Sequence, residues 1–168
     1  MTNALGRGDV AGARNSFFQT LVLGFGASIL LAVGGSLATS VILEARFSDR
    51  PEMVGLALDY LVPIYLFSFT FMASLIANSA LASQGDFATL GIVQVIAFVL
   101  NCIFDPLLMF GWGPIPGFGI MGLAVATVSI NLIGVVFIFY RTANSRLFQD
   151  FRWSELGIQW GGMADLVR

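Results

Sequence analysis

Long stretches without charge, separated by short charged segments, dominate the chain. No charged residue interrupts Tyr60 to Gly85, a run of 26 residues, or Pro106 to Tyr140, a run of 35. About 20 predominantly apolar residues suffice for a helix to cross the hydrocarbon core of a bilayer. The pattern therefore predicts membrane-spanning helices. The second run is long enough to hold the end of one span, a turn and a further span.

Four spans account for this pattern, and each is long enough as a helix that rises about 1.5 Å per residue. The ten-residue alternating segments of membrane barrels do not recur. The predicted fold class is all-α, a polytopic membrane helix bundle. We expect a cytoplasmic segment at 1–16, a membrane region at 17–140 and an amphipathic cytoplasmic linker at 141–168. Spans one to four are, in order, Phe17 to Leu43, Leu61 to Ser83, Thr89 to Gly111 and Gly119 to Tyr140.

The composition agrees with a membrane protein and excludes several functions. The chain is 57% hydrophobic and 11% charged, with a net charge of −2 and no lysine, and its mean hydropathy is +0.87. Such a charge balance indicates neither a nucleic-acid partner nor a basic membrane-surface patch. With one cysteine and no histidine, an internal disulfide and a Cys/His metal cluster are both excluded.

The arginines indicate how the chain is oriented. Arg7 and Arg14 precede span one and Arg141 follows span four, whereas Arg46 and Arg50 in the first connection stand among three acids. Because arginine is enriched on the cytoplasmic side of membrane proteins, both termini are predicted to be cytoplasmic. Residues 45–58 and 112–118 should then lie outside. The predicted location is the inner (cell) membrane, with several passes.

Two similar dipeptides precede spans one and three. Gly8-Asp9 and Gly85-Asp86 each stand at a predicted cytoplasmic turn. They suggest two stacked hairpins, although two such pairs can also arise by chance in a chain with 19 glycines.

Span three carries polar residues inside the predicted membrane region. Gln94, Asn101 and Asp105 are separated by seven and four residues, which places them on one helical stripe. Pro106 leaves the carbonyl of Cys102 without its helical hydrogen bond. Such oxygens suit a proton or a hard cation such as Na⁺, because an ionised acid in a low dielectric needs a counter-charge. In the alternative interpretation, Asp105 lies near the outer interface and is simply solvated.

Span four offers further oxygen atoms. Thr127 and Asn131 are four residues apart and share one helix face, so the Thr127 hydroxyl would join the same pocket if that face meets span three. Alternatively, the hydroxyl bonds to its own helix backbone. Asn78 and Asp59, at the two ends of span two, are interpreted as a helix-end hydrogen bond and an interfacial charge. Gly24 with Ser28 and Gly122 with Ala126 predict close helix packing.

These motifs resemble a known family. The stretch "LNCIFDPLLMFGWGPIPGFGIMGLAVATV" is similar to the fifth and sixth helices of multidrug and toxic compound extrusion (MATE) transporters. Upstream, "ALGRGDVAGAR" resembles the connection into their third helix, and "NSALASQGD" resembles the end of their fourth. The resemblance implies helices three to six of a transporter with twelve helices in two lobes. The chain would then lack the first helix, which often carries a further aspartate, and the whole second lobe.

The resemblance also implies a function. Asn101, Asp105 and Thr127 fall on positions like the family's cation or proton site, with Asp105 as the coupling carboxylate. The expected activity is not enzymatic: it is secondary antiport, exporting drug-like, often cationic organic compounds in exchange for H⁺ or Na⁺. The expected partners are the lipid bilayer, that small-molecule substrate and the remainder of the transporter, with no nucleic acid and no cofactor besides the coupling ion.

Two alternatives stay open at this stage. A lipid-linked oligosaccharide flippase of the same superfamily usually lines its cavity with arginine or lysine, and the four predicted spans contain neither. A non-transporting four-helix scaffold would have no use for an acid inside the membrane.

Overall fold

The computed structural model describes residues 2–145 and 147–148, and helices make up nearly all of them. A helix begins where the sequence supplies a cap: Asp9 and Asp86 precede two of the long helices and accept hydrogen bonds from their first turns. The elements are α1 (Thr2–Gly6), α2 (Val10–Leu30), a π turn (Leu31–Gly35), α3 (Ser36–Arg46), α4 (Pro51–Leu66), α5 (Ser68–Ser83), α6 (Phe87–Phe110), β1 (Gly111–Trp112), β2 (Ile115–Pro116) and α7 (Gly119–Ala143).

Span one is longer than predicted and is not a regular α-helix. Helices α2 and α3 form one 37-residue segment, Val10–Arg46, interrupted only by the π turn. The predicted bounds of Phe17 to Leu43 were set at the apolar residues. The helix continues into flanking polar residues because a helical backbone satisfies its own hydrogen bonds on either side of the apolar region.

Span two is not a single straight helix, and its helix begins ten residues before the predicted start of the span at Leu61. Helix α4 begins at Pro51, and α4 and α5 meet at Phe67 with a bend of 49°. Proline suits the first turn of a helix, where its missing N–H is not needed. The start of span two was predicted after Asp59 because a charged residue was not expected inside the span. The connection between α3 and α4 is therefore only residues 47–50, and the placement of residues 45–58 outside the membrane stays a prediction.

Spans three and four agree closely with prediction. Helix α6 continues through Pro106 to Phe110, and α7 follows after a short β-hairpin in which Gly111 pairs with Pro116 and Trp112 with Ile115. Gly113 at the hairpin tip has a φ of 61°, which glycine adopts readily. This hairpin is the one departure from an all-helical chain within the described residues. The count of four spans holds when α4 and α5 are taken as one bent span.

Helix α7 lies at the centre of the bundle. It packs against α4, α5 and α6, while α2 packs on α5 and α3 on α4. By contrast, α6 buries only Val93 and exposes many large apolar side chains. The buried residues of α7 are Gly122, Ala124, Ala126, Val128, Ile130, Val135, Ile138 and Thr142. An exposed apolar surface of this extent is compatible with lipid or with further helices.

Small residues permit the close approaches that the sequence predicted. A Cβ added at Gly122 would overlap the Leu108 carbonyl oxygen, and one added at Gly24 would lie 2.8 Å from Ile76 Cδ1. The two glycine–aspartate pairs also share a conformation: Gly8 and Gly85 have φ of 75° and 80°. Each of these glycines precedes an aspartate that caps the helix after it.

The bundle has two distinct ends. We call the end with Gly8, Gly85 and Ala143 the terminal end, and the end with residues 47–50 and 111–118 the hairpin end. At the terminal end the buried Arg14 donates from Nε to the Leu147 carbonyl, 3.0 Å away. Most of the predicted linker 141–168 lies outside the described residues. Since no membrane is present, the division at 16/17 and 140/141 remains a prediction.

Candidate cation site

Helix α6 places Asn101 and Asp105 in the half nearer the hairpin end. Its 24 residues span about 36 Å, and Asp105, five residues before Phe110, lies about 7.5 Å along the axis from the end of the helix. Both residues are half-buried. Asp105 therefore lies within the helix and not in the turn that follows it, although it is not at the midpoint of the span.

The oxygens of these two side chains are unusual because they are buried without partners. Asn101 donates from Nδ2 to the Ala97 carbonyl at 3.0 Å. Asn101 Oδ1 and Asp105 Oδ1 are both inaccessible to solvent, yet neither has a hydrogen-bond partner among the described residues. Buried oxygens are nearly always satisfied in native proteins. A pair of orphaned acceptors one helical turn apart can therefore accept a proton or ligate a cation.

Two contacts between α6 and α7 set the depth of Thr127. Gly122 meets the Leu108 backbone, and a Cβ on Gly134 would lie 3.8 Å from Val93 Cγ1. In this antiparallel pair, Thr127 lies five residues after Gly122 and seven before Gly134. Counting from Leu108 and from Val93 places it level with residues 100–103, at the depth of Asn101.

The facing surfaces of the two helices also agree. Asn101 is two turns from Leu108 on α6, and Thr127 is two turns from Gly134 on α7, so each shares a helix face with one of the residues that contact the other helix. Thr127 Oγ1 donates to the Leu123 carbonyl at 3.0 Å, as the backbone-bonded alternative expected. A hydroxyl that donates once retains lone pairs that can accept or ligate, so the bond does not exclude Thr127 from the site.

One member of the predicted polar stripe does not contribute a buried group. Gln94 is exposed, and so is the side chain of Cys102, which lies outside the stripe. The stripe is therefore continuous along the helix, but only its half toward the hairpin end is buried.

Two asparagines that the sequence did not assign to the cation site have similar oxygens. Asn78 Oδ1 on α5 and Asn131 Oδ1 on α7 are also buried without hydrogen-bond partners in the described part of the chain. Asn78 donates from Nδ2 to Ser74 Oγ at 3.4 Å, so its interpretation as a helix-end bond was wrong. The available signal was the rarity of asparagine inside an apolar helix, which applies to both residues.

A second acid marks the terminal end. Asp86 accepts hydrogen bonds from the Thr89 hydroxyl at 2.7 Å and the Thr89 amide at 3.2 Å, and pairs with Arg141 at 3.3 Å. The hydrogen bonds from Thr89, followed by Arg141, hold the pKa of Asp86 below its ordinary value. This group joins the start of α6 to the end of α7 and remains charged at neutral pH.

Comparison with known proteins identifies the family. The family model MatE matches residues 1–107, which include Asn101 and Asp105. The chain belongs to the MATE family. The resemblance seen in the sequence is thereby confirmed, and members of the family are transporters.

Two curated relatives support the assignment. The chain is 30% identical over 172 aligned positions to a protein named FAD transporter from Shewanella oneidensis, covering 98% of this chain and 37% of that one. It is 27% identical to a probable multidrug resistance protein NorM from Rhizobium meliloti, covering 80% of this chain and 28% of that protein. The chain thus spans roughly a third of the length of each.

A solved structure agrees in fold. The chain superimposes with a TM-score of 0.85 on an inward-facing multidrug resistance MATE transporter of the MOP superfamily, with 22% identity, over 99% of this chain and 37% of that one. The fold is therefore a multi-pass helical membrane fold that forms part of a MATE transporter.

Proposed function

We propose that this chain forms part of a secondary antiporter that exports drug-like, often cationic, organic compounds in exchange for H⁺ or Na⁺. The observation that carries the proposal is the pair of buried, unpartnered oxygens at Asn101 and Asp105. Asp105 is the coupling carboxylate, and Asn101 and Thr127 supply further oxygens. Three oxygens are fewer than a hard cation usually takes, so water or other parts of the transporter complete the coordination of Na⁺.

The chemistry of coupling follows from the charge of Asp105. An ionised carboxylate inside the membrane requires a bound cation or a proton. If the inward-facing and outward-facing arrangements bind that ion with different affinity, the ion shifts the equilibrium between them. Secondary transporters commonly alternate between such arrangements around a site near the bilayer midplane, and the substrate leaves as the ion enters.

The remaining partners follow from the length of the relatives. Because the chain spans only 37% and 28% of them, we infer that the transport cavity includes segments beyond these 168 residues. The exposed apolar faces of α3 and α6 contact lipid or those segments. We place the protein in the inner (cell) membrane with the terminal end in the cytoplasm, on the evidence of the arginines that surround it.

A different substrate class deserves a test because one relative is named FAD transporter. FAD carries a pyrophosphate, which proteins usually bind with arginine or with helix N-termini. The sequence between Phe17 and Leu43, and in the three later predicted spans, contains neither arginine nor lysine. A flavin dinucleotide would therefore take its counter-charges from outside these spans, and an uncharged or cationic compound fits this chain better.

The activity can be tested in proteoliposomes that contain the natural gene product carrying this chain. Efflux of a cationic dye is measured under an imposed Na⁺ gradient, an imposed pH gradient or neither, and FAD is supplied as a competitor. We expect one gradient to accelerate dye efflux and FAD to have no effect. Efflux of FAD in place of the dye would identify a flavin dinucleotide as the substrate. No response of efflux to either gradient would contradict antiport.

A further inference from the structure

Two irregular pieces of backbone occur in neighbouring spans. In span one, the π turn Leu31–Gly35 interrupts the α-helix. In span two, Phe67 adopts φ −96° and ψ 15°, and α4 and α5 meet there at 49°. Single π turns inside α-helices are frequently functional, and helices with interrupted hydrogen bonding bend more easily than regular ones. Each span thus has one weak point in its backbone.

The two weak points lie next to each other. On one side of them, Ser68 Oγ donates to the Ser28 carbonyl at 3.0 Å, and both serines are buried. On the other side, Thr39 Oγ1 donates to the Tyr65 hydroxyl at 3.1 Å. A Cβ on Gly35 would lie 3.0 Å from Tyr65 Cε1, so the tyrosine ring lies flush against the end of the π turn.

Packing divides the helices of spans one and two into two pairs, and the division falls at the π turn and Phe67. Helix α2 packs on α5, and the Ser28–Ser68 bond ties them. Helix α3 packs on α4, and the hydrogen bond from Thr39 to Tyr65 ties them. We call Ser36–Leu66 the distal unit, since it lies toward the hairpin end. The backbone joins the distal unit to α2 and α5 only through the π turn and Phe67.

We propose that the distal unit moves as one body about a hinge formed by the π turn and Phe67. Hinges in proteins are a few residues that absorb the change in backbone angles while the packed parts on either side stay rigid. The hydrogen bond within each helix pair holds that pair together as a rigid part. Because the two weak points are adjacent, they can act as a single hinge. Helix α4 also packs on α7, the helix that carries Thr127, so the distal unit moves against one helix of the candidate cation site. This inference goes beyond the proposed function and does not depend on the coupling ion.

The motion can be measured with pairs of spin labels in the natural gene product carrying this chain, in lipid nanodiscs. Cysteines are removed first, Cys102 as Cys102→Ser. Asp49→Cys and Trp112→Cys, both exposed, report the distal unit against the α6–α7 hairpin. Glu44→Cys and Met53→Cys, both exposed within the distal unit, form the control pair. We expect a broad or double-peaked distribution for 49–112 and a single narrow one for 44–53.

Deletion of Val33 then tests the hinge itself. A π turn holds one residue more than the α-helix needs, so removing one residue should restore regular α-helix and leave the helix faces in place. We expect the 49–112 distribution to narrow to the width of the control pair. Deletion of Ser48, in the connection 47–50, also shortens the chain by one residue but should leave the distribution broad. The hinge is contradicted if 49–112 is as narrow as 44–53 in the parent, or if deleting Val33 leaves it unchanged.

If the deletion of Val33 prevents folding, hydrogen exchange of the unaltered protein tests the hinge instead. The amides of residues 31–36 and 67–70 should exchange faster than those of α2, α3, α4 and α5 on either side. Equal protection along both spans would overturn the proposal.

Discussion

At the scale of single residues, the candidate site is centred on one oxygen each of Asn101 and Asp105, which lack hydrogen-bond partners in the described part of the chain. The sequence located Asn101 and Asp105 because a 100° helical repeat brings them to one stripe. It could not reveal that Gln94 on the same stripe is exposed, since that depends on what packs against the terminal half of α6. Nor could it reveal that Asn78 and Asn131 are buried with unpartnered oxygens, because their surroundings come from other helices.

Replacing the neutral oxygens should weaken the cation site without abolishing it. Asn101→Ala and Thr127→Val each remove one uncharged ligand, worth about 0.5 to 1.5 kcal/mol net. We expect the concentration of coupling ion for half-maximal transport to rise about 2- to 10-fold. Ser129→Ala, an exposed neighbour on α7, is the control and should leave it unchanged. An unchanged ion dependence in both test variants would remove them from the site.

Asp86, the acid at the terminal end, should behave differently from Asp105. The folded-state pKa of Asp86 is lowered, first by hydrogen bonds from Thr89 and then by Arg141. The resulting stability is present above the unfolded-state pKa of about 3.9 and is lost as pH falls through the folded-state value. Asp86→Asn should therefore leave the pH profile of transport between pH 5 and 8 unaltered. A shift of that profile, measured by dye efflux, would show that Asp86 titrates during transport.

At the scale of the elements, spans three and four were predictable and spans one and two were predictable only in part. The capping Asp86 marks the start of α6, the glycines of the turn 111–119 separate α6 from α7, and these signals are local. The π turn and the bend at Phe67 depend on how two helices pack together, and Pro63 marks only the neighbourhood of the bend. Asp59 hid the start of α4 because an exposed charge in the middle of a helix resembles a charge in a loop.

The contact between α6 and α7 should be the most sensitive to a single methyl group. A Cβ at Gly122 overlaps the Leu108 carbonyl oxygen, whereas one at Gly134 makes an ordinary contact of 3.8 Å. We expect Gly122→Ala to lower the free energy of unfolding by about 1 to 3 kcal/mol, the usual cost of overpacking. Gly134→Ala should be close to neutral. Denaturation in detergent micelles measures both, and equal stability of the two variants would contradict this packing.

At the scale of the whole molecule, the chain has up to four candidate spans and covers roughly a third of the length of its MATE relatives. Alternating access requires two units that move against each other around a site. The family was visible in the sequence because its motif from Asn101 to Thr127 is dense and ordered. The substrate was not visible, because it depends on the walls of a cavity that four helices do not enclose.

The 168 residues expressed alone should insert into the membrane yet transport nothing. Cells that lack related exporters should show the chain in the membrane fraction and the same drug sensitivity as cells with an empty vector. The natural gene product serves as the positive control. Dye efflux by the isolated chain at a rate comparable to that product would mean that four helices suffice for transport.

The central claim is that Asp105 couples the ion to the substrate, and one pair of variants tests it most directly. Asp105→Asn keeps the size and one carbonyl oxygen of the side chain but cannot ionise. Asp59→Asn makes the same change at an exposed acid of α4. In proteoliposomes with an imposed Na⁺ or pH gradient, we expect Asp105→Asn to lose gradient-driven dye efflux while Asp59→Asn retains it. Efflux by Asp105→Asn at the parental rate under the same gradient would place the coupling site elsewhere.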